Sequence, residues 1–299
     1  MKSIGFIGVS TANSSIMKVF PKWSEALGLD AEIFGIDMPI NPSYQQIKDA
    51  LLALRDKQDC QGALVTTHKI ATFALGQELF EGFDDFANLC GEVSSVKVRD
   101  KKLYGSAKDP ITAGLSIEEF LPKNHFDTGA EVLCFGDGGA ATAIGWYLAS
   151  RFDQPSKMTF FGVSNEKLKH LSAVISKNYS AKQLNLEIYS PDKVAKSFAE
   201  LTNKSLIINA TGMGKDLPGS PVPADLTFPK GSYIWELNYR GSLEFFKQAT
   251  AQANENSLQV NDGWRYFIHG WTQVISEVFD LTLNSDQIEE LAMIAENYR

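Results

Sequence analysis

Glu131-Val132-Leu133-Cys134-Phe135-Gly136-Asp137-Gly138-Gly139-Ala140 is the stretch that decides how this chain is read. Its first five residues read as a short β run, with Val132 to Phe135 apolar throughout. The glycines come at once, and Ala141-Thr142-Ala143-Ile144-Gly145-Trp146-Tyr147-Leu148 continues as a helix. Glycines at such a junction permit the tight strand-to-helix turn. They also let the backbone approach a pyrophosphate, whose charge sits at the helix N-terminus. Gly-rich turns join strands to helices without any ligand as well, so the loop alone leaves a dinucleotide site and a structural turn both open. The end of the next strand is the usual place for a discriminating charge, an acid for an unphosphorylated ribose or an Arg for a phosphorylated one. Here Phe161-Gly162-Val163-Ser164-Asn165 carries neither. Ser164 and Asn165 can hydrogen-bond a ribose or a phosphate, and Asn165 reads equally as the cap of a helix starting at Glu166.

On both sides of this loop, short apolar runs alternate with helical periodicity, the pattern of an α/β protein with mostly parallel sheets. Strands are expected at 131–135, 157–162, 186–189, 205–209 and 232–237 after the midpoint, and at 3–8, 31–36 and 61–66 before it. Helices are expected at 15–27 and 42–57, the second with Asn41 as N-cap and Pro42 in its first position. Residues 93–98 and 101–104 form a hairpin pattern around Arg99-Asp100. A helical stretch at 111–121 precedes the glycine loop, and two more, 263–281 and 285–298, end the chain. The expected division is a first domain at 1–109 and a second at 110–262; the final helices at 263–299 need a surface to cover and are expected to return to the first domain, a step that rests partly on the resemblance given below.

At 299 residues the chain is long enough for two hydrophobic cores. Its net charge of −8 disfavours phosphate backbones and anionic membranes, which argues against nucleic acid and membrane partners and leaves a small molecule as the expected one. Cys60, Cys90 and Cys134 are odd in number and scattered, which suits neither a disulfide framework nor zinc. His68, His125, His170 and His269 lack ligand spacing, so no metal is expected. The chain passes from Met1-Lys2 straight into a β run, and no apolar stretch approaches the ~20 residues that span a bilayer. The expected location is the cytoplasm.

Two polar clusters suggest chemistry. Thr66-Thr67-His68-Lys69 ends the strand pattern of 61–66, and side chains at the carboxyl end of a parallel strand face the crevice where ligands bind. Tyr104-Gly105-Ser106-Ala107-Lys108-Asp109-Pro110 lies at the expected domain junction. Lys69 and Asp109 together could move a proton on and off a substrate hydroxyl. Each also has an ordinary reading, Asp109 as a turn or cap before Pro110 and Lys69 as a solvated charge.

Taken in order, these clusters resemble the shikimate/quinate dehydrogenase family over essentially the whole chain. Gly8-Val9-Ser10-Thr11-Ala12-Asn13-Ser14 is similar to the family's Gly-x-Pro-x-x-His-Ser-x-Ser, and Val65-Thr66-Thr67-His68-Lys69 to Val-Thr-x-Pro-x-Lys, one residue shorter. Gly91-Glu92-Val93-Ser94-Ser95 sits where the family has Gly-Ala-Val-Asn-Thr, and Gly105-Ser106-Ala107-Lys108-Asp109 falls on Gly-x-Asn-Thr-Asp. Residues 136–140 fit Gly-x-Gly-Gly-Ala, and Ile208-Asn209-Ala210-Thr211 fits Ile-Asn-Ala-Thr. Asn238-Tyr239 and Asp262-Gly263 also have counterparts.

The resemblance implies an α/β fold of two domains: an N-terminal substrate domain, and a Rossmann-type doubly wound domain binding NADP or NAD. It implies hydride transfer to or from a small, carboxylated cyclic or polyol-like substrate; the sequence leaves a monomer and a homodimer both open. It makes Lys69 and Asp109 catalytic, and places Ser14, Thr66, Ser94, Tyr239 and Gln273 on the substrate side. Gly136, Asp137, Gly138, Gly139 and Ala140 become the cofactor loop, supplemented by Ser164, Asn165, Asn209, Ala210 and Thr211. The departures point to a divergent branch with an altered substrate. Ile16 replaces a Ser of the substrate loop, Ser94 an Asn, and Ala107 the Asn of Asn-Thr-Asp, with Lys108 next to it. Gly270 replaces a Gln, with Gln273 one helical turn on, and Gly162-Val163-Ser164 replaces the Asn-Arg-Thr that holds an NADP phosphate. A non-catalytic ligand-binding protein on the same scaffold is the competing reading, and a folate-linked dehydrogenase pairing a Lys with a glycine loop is a third.

Overall fold

The structure, a computed structural model, describes residues 1–215 and 217–299. Two compact units divide the chain, Met1–Thr112 with Ile268–Arg299, and Ala113–Phe267.

The first unit opens with β1 (Lys2–Gly8), α1 (Ile16–Ala26), β2 (Ala31–Asp37), α2 (Tyr44–Asp56), β3 (Cys60–Val65) and α3 (Lys69–Gly76). It continues through β4 (Phe80–Phe83), α4 (Asp85–Cys90), β5 (Ser95–Arg99) and β6 (Lys102–Ser106) to the start of α5 (Asp109–Phe120). The sheet order is β2-β1-β3-β5-β6-β4. Strands β1, β2 and β3 run parallel, whereas β5 is antiparallel to both β3 and β6. The sheet is therefore mixed. Its core gathers Ile7, Leu51, Leu54, Val65, Val96 and Leu103. Burying each such side chain contributes about 1.5–3 kcal/mol. The direction of β5 matters for function. Leu64 pairs with Ser95, and Ser95 pairs with Ser106, so residues 92–94 and 107–109 both come to the edge where β1 and β3 end.

The second unit contains the rest of α5, then β7 (Val132–Phe135), α6 (Gly139–Ser150), β8 (Met158–Gly162), α7 (Asn165–Ile175), β9 (Leu184–Ile188) and α8 (Pro191–Glu200). It closes with β10 (Leu206–Asn209), β11 (Tyr233–Glu236), α9 (Glu244–Asn256), β12 (Gln259–Asn261) and the first turn of α10 (Trp264–Val278). All its strand pairings are parallel, in the order β12-β11-β10-β7-β8-β9. Counted within the unit, that is the doubly wound nucleotide-binding order, with the switch point between β7 and β10. Val132 and Cys134 enter one core while Leu133 and Phe135 enter another, so the sheet is covered on both faces. The remainder of α10 and α11 (Ser285–Glu296) belong to the first unit, where Trp23 Nε1 donates to the Leu291 carbonyl at 2.8 Å.

Several local expectations need correction. Helix α2 is capped by Ser43, two residues later than Asn41, because Ser43 and Gln46 form a reciprocal capping box that satisfies two free N–H groups. Helix α7 is capped by Ser164, whose hydroxyl accepts from Lys167 N–H at 3.3 Å, so Asn165 is the first helical residue and not the cap. Strands β4 and β12 and helices α3 and α4 lie outside the expected elements. Among the described residues, no helix is long and apolar enough to cross a membrane.

Candidate functional site

In the first unit, the polar residues singled out from sequence collect at the carboxyl ends of β1 and β3. Strand β3 ends at Val65, Thr66 N–H donates to the Ile7 carbonyl at 3.0 Å, and α3 begins at Lys69. Its ammonium is ion-paired and hydrogen-bonded to Asp109, the first residue of α5. The side chains are 18% and 8% exposed, which puts the pair in a low-dielectric setting and rules out a solvated surface charge for Lys69. Burial alone would pull the Lys69 proton off, but Asp109 and Glu92 outweigh it and hold the ammonium above its ordinary value.

Ser94 is buried, and its hydroxyl accepts from Lys108 N–H at 2.7 Å, tying the Glu92-bearing segment to the residue before Asp109. Ser14 is buried in the loop after β1, which is tethered by Thr11 N–H and Oγ1 donating to Asp37 Oδ1 at 2.8 and 2.6 Å. Thr66 is half-buried, its methyl lying where a side chain on Gly8 would go. Lys108 neither points to solvent nor lies free for a substrate: it pairs with Glu277 at 3.0 Å and Asp84 at 3.5 Å. Gln273 is half-buried on α10 and, among the described residues, makes no hydrogen bond to Lys69 or Asp109. His68 is buried, with no hydrogen bond of ordinary geometry at either ring nitrogen among the described residues, although the Gly8 and Met38 backbones act on it. Burial holds its pKa below the usual value.

Sequence reasoning passed over Glu92. It is fully buried beside the pair, and among the described residues neither carboxyl oxygen has a hydrogen-bond partner. Burial first, then the charge of Asp109, push its pKa up to about 8 against the opposing pull of Lys69. The available signal was an acid set within the small and apolar run Leu89-Cys90-Gly91-Glu92-Val93.

In the second unit, the glycine loop lies at the switch point. Gly136 has φ +131°, and a Cβ there would come within 2.8 Å of the Ala210 carbonyl, which comes just after β10. Gly138 has open space where a side chain would be, and it precedes the N-terminus of α6 without any side-chain cap. Gly139 and Ala140 form the helix's first turn, so its free N–H groups are left for another acceptor. Asp137 is buried, and its Oδ2 accepts from both Val163 and Ser164 N–H at 2.8 Å. The Ser164 hydroxyl is committed to its cap, and Asn165 is exposed.

Asn209 and Thr211 form a closed network. Asn209 Nδ2 donates to Glu236 Oε2 at 2.8 Å, and its Oδ1 accepts from Thr211 N–H and Oγ1 at 3.1 and 2.6 Å. Glu236, also missed from sequence, is fully buried and accepts from Asn238 N–H and Nδ2 at 2.8 and 2.7 Å. Burial raises its pKa to about 7 against these hydrogen bonds. Tyr239 packs edge-on against Trp264, with centroids 5.3 Å apart, and against Phe267 at 4.8 Å. It belongs to the second unit, whereas Ser14, Thr66 and Ser94 belong to the first.

No family model matches the chain. It is 27% identical over 182 residues to the shikimate dehydrogenase (NADP+) of Streptococcus gordonii, a match covering 60% of this chain and 59% of that protein. Among solved structures it is similar to shikimate dehydrogenase 1 of Peptoclostridium difficile, with TM-score 0.76 and 16% identity over 100% of this chain and 99% of the other. It is also similar to the 5-ketofructose reductase of a Gluconobacter strain, with TM-score 0.70 and 20% identity over 100% and 99%. The sequence match thus spans well under two thirds of the curated relative, while the fold matches from end to end. The chain is thus similar in part of its sequence, and in its whole fold, to shikimate dehydrogenases.

Proposed function

We propose that this protein is a nicotinamide-dependent oxidoreductase that interconverts an alcohol and a ketone on a small polyhydroxylated, carboxylated substrate. The observation that carries the reading is the buried pair of Lys69 and Asp109 at the carboxyl edge of the first sheet. A surface ion pair contributes little and needs no such shelter, whereas a proton-transfer group gains from a dry site. The first unit is then the substrate unit and the second the nucleotide unit.

The glycine loop fits a dinucleotide. A Cβ at Gly136 would collide with the Ala210 carbonyl, Gly138 is open, and the α6 N-terminus has no cap of its own. Gly136, Gly138, Gly139 and Ala140 would hold the pyrophosphate, beside Ala210 and the turn braced by Asn209 and Thr211. When bound, the nicotinamide accepts or supplies the hydride. Lys69 takes the hydroxyl proton during oxidation and returns it during reduction. Asp109 positions the Lys69 amine and accepts from a substrate hydroxyl. Ser14, Thr66 and Ser94 share that edge and orient the substrate, while Tyr239 and Gln273 keep a substrate role on the resemblance alone.

The named activities of the relatives concern polyhydroxylated molecules, shikimate and 5-ketofructose. Ile16, Ser94 and Ala107 alter the hydrogen-bonding set on the substrate side. Pockets built on hydroxyl contacts discriminate by about 10⁴-fold when those contacts no longer match. The substrate is therefore a related polyol acid or ketone, of which shikimate is one candidate.

Asp137 bears on the cofactor. It places a carboxylate on the turn after β8, where doubly wound folds read the ribose, and occupies the N–H groups of Val163 and Ser164. A 2′-phosphate would meet negative charge and spent donors there, so NAD is preferred over NADP, the reverse of the relative named for NADP.

Calorimetric titration with NAD+ and NADP+ tests the reading. Micromolar or tighter binding, with NAD+ ahead, is expected, and turnover assays on shikimate, quinate and 5-ketofructose then define the substrate. Absence of binding by either dinucleotide would make the loop a structural turn and end the proposal.

A further inference from the structure

The buried carboxyl of Glu92 has no place in the proton transfer assigned to Lys69 and Asp109. It sits where the sequence of α4 is forced to stop: Gly91 takes φ +63° as the helix C-cap, and the chain then turns inward. Hydrogen bonds to both neighbouring segments fix the stretch that bears it. Val93 N–H donates to the Lys69 carbonyl at 3.0 Å, Val65 N–H to the Ser94 carbonyl at 2.9 Å, and Lys108 N–H to the Ser94 hydroxyl at 2.7 Å. Glu92 is thereby held between the segment bearing Lys69 and the segment bearing Asp109. It has no accessible surface and, among the described residues, neither a hydrogen bond nor an ion pair with Lys69.

We propose that Glu92 is a positioning residue for proton transfer, a buried carboxyl that acts through Lys69 by setting how tightly Lys69 holds its proton. The proposal rests on Lys69 being the proton-transferring group of the site.

The charges that act on Glu92 are Asp109, on α5, and Lys69, on α3. A second buried anion beside Asp109, without a hydrogen bond, is strongly disfavoured, so Glu92 keeps its proton at neutral pH. In that state the site is the neutral pair of one ammonium and one carboxylate, a setting that does not repel an anionic substrate. When Glu92 ionises on the alkaline side, the added negative charge strengthens the hold of Lys69 on its proton. The free amine able to take a hydroxyl proton then becomes scarcer. Glu92 thus couples the charge of the pocket to the basicity of Lys69. The two groups titrate as a coupled set.

The sign of the stability linkage is set by the direction of the shift. Glu92 loses its proton near the ordinary ~4.3 when unfolded, and near 8 when folded. Its contribution is complete below the lower value and is lost as pH rises through the window to the higher one. Glu92→Gln keeps the shape and removes the proton. Thermal unfolding of the apo-protein should show the variant's melting temperature gaining on the wild type from pH 5 to pH 8, then tracking it in parallel.

A second readout addresses Lys69 directly. Competitive labelling with acetic anhydride, read by mass spectrometry, gives the pH midpoint at which Lys69 becomes a free amine. The midpoint should fall by about one pH unit in Glu92→Gln, and Glu92→Asp, which retains an ionisable group, should restore part of it. If Glu92→Gln does not fold, Glu92→Ala carries the same test. A melting-temperature gap that stays constant with pH, or a Lys69 midpoint that does not move, overturns the proposal. Neither readout depends on turnover, so failure of the oxidoreductase reading would be seen separately, as absent cofactor binding.

Discussion

The edge of the first sheet that carries Lys69 and the edge of the second that carries the glycine loop are built on opposite principles. Around Lys69 the groups of the proposed site are side chains, and they are ionisable, buried and incompletely satisfied: an ammonium, its partner Asp109, and Glu92, whose carboxyl has no hydrogen bond among the described residues. Around Gly136 the groups of the proposed site are backbone, and the neighbouring side chains are already spent, Asp137 on two backbone N–H groups and Asn209 on Thr211 and Glu236. The first arrangement is tunable, because its free energy depends on which group holds a proton. The second is rigid, because it depends on φ angles and on the absence of side chains. Substitutions should therefore damage the two regions in separable ways.

The largest separation is expected from Lys69→Ala. Removing the amine should lower turnover by ~10²-fold or more. Dinucleotide affinity measured by calorimetry should stay within a few-fold of wild type. Asp109 would be left as an uncompensated buried charge, a change that costs about 3–5 kcal/mol in comparable pairs, so stability must be monitored alongside. Unchanged turnover in a folded variant removes Lys69 from the mechanism and erases the distinction between the two regions.

The two edges are unequally legible in the sequence, and for a physical reason. The glycine loop is local: an apolar run of four, three glycines within four residues and a helical stretch announce β7, the turn and α6 without reference to anything distant. The pairing of Lys69 with Asp109 joins residues 40 apart in the chain, and only the order of motifs reveals it, since neither residue signals its partner. Glu92 shows locally only as an acid among small and apolar neighbours, a weak signal, because burial is set by the residues that pack over it. Strand β12 has three residues and β4 four, too few for a period to show, and each exists through the neighbour it pairs with. At α2, Asn41-Pro42 is a sound start signal that lost to Ser43 with Gln46, since a reciprocal box satisfies two donors where a lone cap satisfies one.

A middle-sized effect is expected from Gly136→Val on the second edge. The residue would have to hold φ +131° with a branched Cβ, 2.8 Å from the Ala210 carbonyl. Strain of that kind costs about 1–3 kcal/mol. Relieving it would move the loop away from β10 at the switch point. Dinucleotide affinity should fall by roughly tenfold or more, about 1.4 kcal/mol, while the acetic anhydride midpoint of Lys69 stays where it was. Retention of full affinity would show that the loop does not cradle the pyrophosphate.

The smallest effect, and the one that most sharpens the contrast, is expected from Ser94→Ala. Its hydroxyl accepts from Lys108 N–H, and the residue is 2% exposed. Losing the acceptor leaves a buried N–H unsatisfied, which costs about 1–3 kcal/mol. The urea midpoint should therefore drop. The same hydroxyl still has its own proton to donate, and the substrate edge is where that proton would go. If Ser94 serves both purposes, KM for the substrate should rise together with the loss of stability. A lowered urea midpoint with unaltered KM makes Ser94 an anchor that holds Asp109 in register. A raised KM without loss of stability makes it a substrate contact, and shows that the first edge carries its specificity, like its proton chemistry, on individual side chains.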